Sequence, residues 1–114
     1  MVTITDGVQF DTIAREWRCK WSPDDDKKSL QALQKVLNES KEDIKKIEGL
    51  KNVQRIVCGG CLDFKVVISV PEPNFGDWEK NEFAPEKSFL EKIKEIDGVS
   101  VVETQTFTLM PVDL

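Results

Sequence analysis

Hydrophobic residues alternate with polar ones at both ends of the chain and recur at three- and four-residue steps in two stretches between them. Val2 and Ile4 alternate with Thr3 and Thr5, and Val8 and Phe10 resume the alternation beyond Asp6-Gly7, a dipeptide suited to a two-residue hairpin turn. The pattern continues from Ile13 to Trp21. Ile13, Trp17, Cys19 and Trp21 fall on one face of that strand, and Ala14, Glu16, Arg18 and Lys20 on the other. Arg15 is the one misfit on the apolar face.

Ser22-Pro23-Asp24-Asp25 then reads as a helix start: Ser as cap, Pro at the first helical position, acids at the positive helix end. Leu30, Leu33, Leu37, Ile44 and Ile47, with Ser40 in the gap, predict one amphipathic helix of about six or seven turns. Lys45 and Lys46 sit in its last turn, Gly49 terminates it and Leu50 packs back. Val53 to Val70 reads as a hairpin around Gly59-Gly60. A two-residue turn there sets Cys58 opposite Cys61, Val57 opposite Leu62, Arg55 opposite Phe64 and Val53 opposite Val66. One face is then Val53, Val57, Leu62, Phe64, Val66, Ile68 and Val70, almost wholly apolar. The other carries Asp63, Lys65 and the two cysteines.

Pro71-Glu72-Pro73-Asn74 breaks the strand, and Phe75 to Phe83 has room for a short helical turn carrying Trp78. Pro85 opens a helix whose inward face is Phe89, Leu90, Ile93 and Ile96. Gly98 ends it, and Val99 to Met110 is a final strand. Its inward set is either Thr104, Thr106 and Thr108 or Glu103, Gln105 and Phe107. Strand, helix, two strands, helix, strand is the order of the ferredoxin-like split β-α-β sandwich. That is an α+β fold with two helices on one face of an antiparallel sheet, here with an added N-terminal hairpin and all in one domain, residues 1–114.

Composition agrees: at 114 residues, 39% hydrophobic and 32% charged, the chain can close one core. No apolar run is long enough to span a bilayer, and Met1 to Phe10 lacks the pattern of a signal peptide, so the expected compartment is the cytoplasm. The formal net charge of −5 opposes binding to nucleic acid or anionic membranes. The face away from the helices shows no stacking aromatics on the three strands that can be assigned, which again speaks against RNA. That mixed-charge face is either solvated or covered by a second copy of the chain.

The absence of His and Tyr narrows the chemistry most. It removes every His-based nucleophile pair and every imidazole metal ligand, so a general base must be a carboxylate, a Lys, a Cys or a cofactor. No cofactor is implied. Three cysteines make a disulfide framework unexpected. Cys58 and Cys61 form a C-x-x-C, but a strand follows it, so no helix N-terminus stabilises a thiolate there. The pair is an unbonded turn, a redox or regulatory disulfide, or half a metal knuckle. Zinc needs four ligands and only Cys19 remains, on the opposite sheet face, so no metal is assigned. Asp63, beside the turn, is a solvated carboxylate or a ligand-binding group. Trp17 and Trp21 belong to the core. Trp78 and Phe75 either anchor the core or form a lid over a pocket. Asp24, Asp25 and Asp26 read as a helix cap, since the further spacing of a calcium loop is missing.

Val57-Cys58-Gly59-Gly60-Cys61-Leu62-Asp63-Phe64 with Lys65 to Val70, and Phe89-Leu90-Glu91-Lys92-Ile93 through Ile96-Asp97-Gly98-Val99 with Thr104, resemble the dimeric α+β barrel superfamily. Within it, they resemble the small-ligand-binding domain of AsnC/Lrp-type regulators. The resemblance covers about half the chain. It implies a homodimer with a ligand cleft near the glycine turn, where Gly60 and Asp63 match and Cys58 and Cys61 flank them. No helix-turn-helix precedes the sheet, so a DNA-binding regulator is not expected. The sequence alone therefore favours a non-catalytic small-ligand-binding or interaction module. The alternatives are a small cofactor-free enzyme using carboxylates in a dimer cleft, of isomerase, lyase or monooxygenase type, and a thiol redox protein using Cys58 and Cys61.

Overall fold

A computed structural model describes residues 1–114. Strand β1 (Val2–Thr5) pairs with β2 (Val8–Phe10) around Gly7, which takes φ +77°. The hairpin forms a two-stranded sheet of its own. The main sheet contains β3 (Thr12–Lys20), β4 (Asn52–Val57), β5 (Asp63–Pro71) and β6 (Ser100–Leu109) in the order β4-β5-β3-β6. Every pairing in it is antiparallel. With α1 (Asp24–Ile44), α2 (Glu72–Lys80) and α3 (Glu86–Lys94), this is the expected ferredoxin-like arrangement, with one helix more than the sequence pattern counts in full.

The core lies between the sheet and the helices. Trp17, Cys19 and Trp21 of the first strand side meet Phe64, Val66, Ile68 and Val70 of β5. Leu33, Leu37 and Ile44 of α1, Trp78 of α2 and Phe89 and Ile93 of α3 close over them. These are the faces that the alternation and helical spacing assign to the interior.

Three local expectations are corrected. First, Val57 faces Phe64, Arg55 faces Val66 and Val53 faces Ile68, so the β4–β5 pairing is offset by two residues from the tight-turn register. Residues 58–62 form a longer turn, closed by a hydrogen bond from the Cys58 amide to the Asp63 carbonyl (3.0 Å) and passing through Leu62 at φ +61°. An offset of two leaves every side chain on its expected face, because the strand repeat is two. Apolar patterning therefore cannot tell the two registers apart. Second, Pro23 stands at the N-cap of α1 and not inside it, and Asp25, Asp26 and Lys27 have φ values of 54°, 59° and 62°, a left-handed first turn. The Ser22 hydroxyl accepts the Asp24 amide hydrogen at 3.1 Å, and Ser29 Oγ accepts the Ser22 amide hydrogen at 2.9 Å. Polar side chains thus hold the entry. Third, α1 ends at Ile44, before Lys45 and Lys46; Ile47 and Gly49 (φ +77°) belong to the turn that follows.

The last strand is resolved by Arg15. Its guanidinium donates to Thr104 Oγ1 and Thr106 Oγ1, each at 2.9 Å, which puts the threonine set on the helix side. Glu103, Gln105 and Phe107 lie on the open face, across from Arg18, Glu16 and Ala14.

Candidate functional site

Three groups of side chains stand out, and only one surrounds a cavity of useful size. That cavity, about 470 Å³, lies where the C-terminal end of α1 meets α2 and the α2–α3 turn. Asp43, Ile47 and Glu48 wall one side; Asn74, Trp78 and Asn81 wall the other. Trp78 is 6% exposed, and its indole N–H donates to the Ala84 carbonyl at 3.1 Å. Phe75 and Phe83 pack edge-on against it, with ring centroids 6.3 Å and 5.1 Å from its own. The ring is therefore a fixed wall and part of the core. Asn74 sits one helical turn before Trp78 on the same face of α2. Its carboxamide occupies a notch over Gly49: a Cβ on that glycine would come within 2.6 Å of the Asn74 amide carbon. The positive φ of Gly49 and the approach of Asn74 thus both require a residue without a side chain.

The second group lies under α3. Glu86 accepts from Arg15 Nε at 2.7 Å and from Trp17 Nε1 at 2.8 Å. Arg15 also lies 4.2 Å from the Phe83 ring centre, as a cation over an aromatic face. With the two threonines, all its neighbours are donors' partners or a ring, so the misfit on the apolar face is fully satisfied. The polar atoms of the group are spent on one another.

The third group is on the open sheet face. Glu16 is 4% exposed; its Oε2 accepts from Gln105 Nε2 at 2.7 Å, with Arg18 and Lys65 nitrogens at 3.9 Å and 3.8 Å. Toward the β4–β5 turn, Lys20 Nζ pairs with Asp63 Oδ1 at 2.6 Å and donates to the Cys61 carbonyl at 2.8 Å. The hydrogen bond from Lys20 lowers the Asp63 pKa below the usual carboxylate value, aided by the charges of Lys20, Lys65 and Arg18. Cys58 and Cys61 are joined as a disulfide with Cα atoms 5.6 Å apart, so the pair is not an unbonded turn. Cys19 is free and buried; burial, with the Asp63 charge behind it, pushes its pKa up to about 12. No three His, Cys, Asp or Glu side chains converge in a geometry suited to a metal.

Of the residues singled out from sequence, Asp63, Gly60, Cys58 and Cys61 thus stay together at one turn. Nothing packs within 4 Å of a Cβ placed on Gly59 or Gly60, so the turn is open. It stands at the start of β5, and the cavity stands beyond its end. Nine residues separate them, about 30 Å at a strand's rise per residue. The sequence reading touched the cavity only through Trp78. Asn74, Asp43 and Glu48 carry no motif, but the Asn-x-x-x-Trp spacing on one helix face was a usable signal.

No family model matches the chain, and no curated protein matches it. Solved structures do. An asparagine-to-alanine variant of SnoaB, a cofactor-independent oxygenase from Streptomyces nogalater, is similar at 12% identity and a TM-score of 0.59, over 90% of this chain and 96% of that one. The ActVA-Orf6 monooxygenase of Streptomyces coelicolor, bound to nanaomycin D, is similar at 11% identity and a TM-score of 0.61, over 92% of each chain. Rv0793 from Mycobacterium tuberculosis is similar at 14% identity and a TM-score of 0.55, over 90% of this chain and 97% of that one. The chain shares with all three a ferredoxin-like α+β fold.

Proposed function

We propose that the chain is a small cofactor-free enzyme of monooxygenase type that receives an organic substrate in the cavity between α1 and α2 and works as a homodimer. The observation that carries this reading is the cavity itself. Its volume suits a molecule of two or three rings. Trp78 offers an aromatic wall, and the amides of Asn74 and Asn81 offer both donors and acceptors to a substrate carbonyl or hydroxyl. With no His or Tyr in the chain, Asp43, Glu48 and Asp77 are the carboxylates at hand to accept a proton. Without a cofactor the electrons that reduce dioxygen come from the substrate, so the substrate class is an electron-rich, readily deprotonated hydroxyaromatic. Oxygenases of the same fold support this alternative over the non-catalytic module that the sequence alone favours. A buried carboxylate on the open face, Glu16, also departs from the flat solvated surface that a plain interaction module would present.

The test is oxygen uptake with a panel of hydroquinones and polyhydroxylated naphthalenes, with binding followed by tryptophan fluorescence. Saturable uptake is expected, with kcat/KM falling about a hundredfold in Asn74→Ala, the scale for losing one placed hydrogen-bond donor. Uptake or binding that is indifferent to both Asn74→Ala and Trp78→Phe would overturn the assignment to this cavity.

A further inference from the structure

We propose that the Cys58–Cys61 turn is a reversible thiol–disulfide exchange site, independent of the cavity and about a strand's length from it. Four observations meet at this turn. The disulfide closes a ring of only four residues, so it constrains the unfolded chain less than a long-range bridge would. Cys61 is exposed and Cys58 half-buried, and a Cβ placed on either glycine between them would meet nothing within 4 Å, so a reactant can reach Cys61 without displacing the core. The Cys61 amide points at Cys58 Sγ at 3.1 Å, a donor ready to stabilise a thiolate there. Asp63 Oδ2 lies 3.3 Å from Cys61 Sγ, an acceptor for a thiol proton at that sulfur.

The two sulfurs therefore have different parts. An external thiolate, such as glutathione, attacks the exposed Cys61 Sγ in line with the S–S bond. The S–S bond breaks, a mixed disulfide forms at Cys61, and Cys58 leaves as a thiolate held by the Cys61 amide. A second glutathione thiolate attacks the mixed disulfide and releases glutathione disulfide. The Cys61 thiol then donates to Asp63. Two glutathione thiols are oxidised to one disulfide, and the protein disulfide gains two electrons and two protons. Oxidation runs the same steps in reverse, with Cys58 attacking a mixed disulfide at Cys61. The remaining thiol, Cys19, takes no part. It is 1% exposed, buried in the core under the helices, and so closed to an external thiol.

The full chain is equilibrated in glutathione buffers of stepped reduced-to-oxidised ratio, acid-quenched, alkylated and weighed by mass spectrometry. Cys58 and Cys61 should gain and lose alkylation together across the series, while Cys19 is labelled only after denaturation. Thiols free at every ratio, or a disulfide that survives the most reducing buffer, would overturn the proposal. The entry sulfur is read directly: the disulfide form, treated briefly with reduced glutathione, acid-quenched and mapped by mass spectrometry, should carry the mixed disulfide on Cys61 about tenfold more often than on Cys58. Equal amounts on the two cysteines would overturn the assignment of Cys61 as the entry sulfur. Neither result depends on the cavity having an enzymatic role.

Discussion

Arg15 shows how a single residue out of pattern can be satisfied by elements distant in sequence. Its charge meets Glu86, 71 positions away, and the threonines of β6 while Phe83 covers its flat face. Removing the guanidinium leaves the Glu86 carboxylate, 14% exposed, with only Trp17 as donor. Arg15→Leu is therefore expected to lower stability by about 2–4 kcal/mol in denaturant titration. The double variant with Glu86→Leu should recover part of that loss, since both charges are then gone; a purely additive loss would show that the pair is not coupled. Asp63 makes the complementary case at the surface. Its pKa is lower in the folded chain than in the unfolded one, because Lys20 bonds to it. The folded state thus binds fewer protons there, and the contribution is present above the ordinary carboxylate range and lost as pH falls through the folded value. NMR titration should find Asp63 below the ordinary carboxylate value, and Lys20→Met should return it toward that value. Cys19 acts in the opposite direction. Its thiol stays protonated up to about pH 12 in the folded chain, so stability should fall as pH rises from 9 toward 12, and less so in Cys19→Ala.

At the scale of elements, α2 and the turn after α1 make one unit. Gly49 at φ +77° leaves the notch that Asn74 fills, and Asn74 and Trp78 share a helix face. Gly49→Ala should cost about 1–2 kcal/mol for the left-handed backbone alone. It should also push Asn74 from the cavity wall, so ligand binding weakens beyond what lost stability explains. Calorimetry and fluorescence binding on the same sample separate the two effects. The sequence made Gly49 visible as a helix terminator but not as the neighbour of Asn74, because that contact joins residues far apart in the chain and leaves no periodic trace. The strands and helices themselves were legible, since Trp17, Val66, Leu33 and Phe89 all carry the repeat of their element toward one core. The register of β4 on β5 was not, because a slip of two preserves every face. The left-handed turn at Asp25 was not either, because its cause is the Ser22–Ser29 contact across seven residues. The face of β6 stayed open until Arg15 chose it.

The molecule as a whole is more extended than its length requires. Its radius of gyration is 15.4 Å, and its extents are 49 × 31 × 20 Å. A compact chain of this size has a radius of gyration of about 13 Å. The excess comes with apolar side chains left in water: Ile4 and Val8 on the N-terminal hairpin, Val101 and Leu109 on β6, and Met110, Val112 and Leu114 beyond it. No helix is long and apolar enough to cross a membrane, so these side chains do not belong to a spanning helix. Val101 and Leu109 belong to the edge strand of the open sheet face, where Phe107 and Val67 lie among Glu16, Arg18, Lys65 and Gln105. A second copy laid on this face would cover that surface, and the opposed charges already paired within each sheet would set its register. Sedimentation velocity is expected to show a dimer at micromolar concentration. Phe107→Asp adds a charge to the face without touching the helix-side core, and should weaken association at least about tenfold while leaving the far-ultraviolet circular dichroism unchanged. A chain that stays monomeric at millimolar concentration, or a dimer indifferent to Phe107→Asp, would refute pairing through this face.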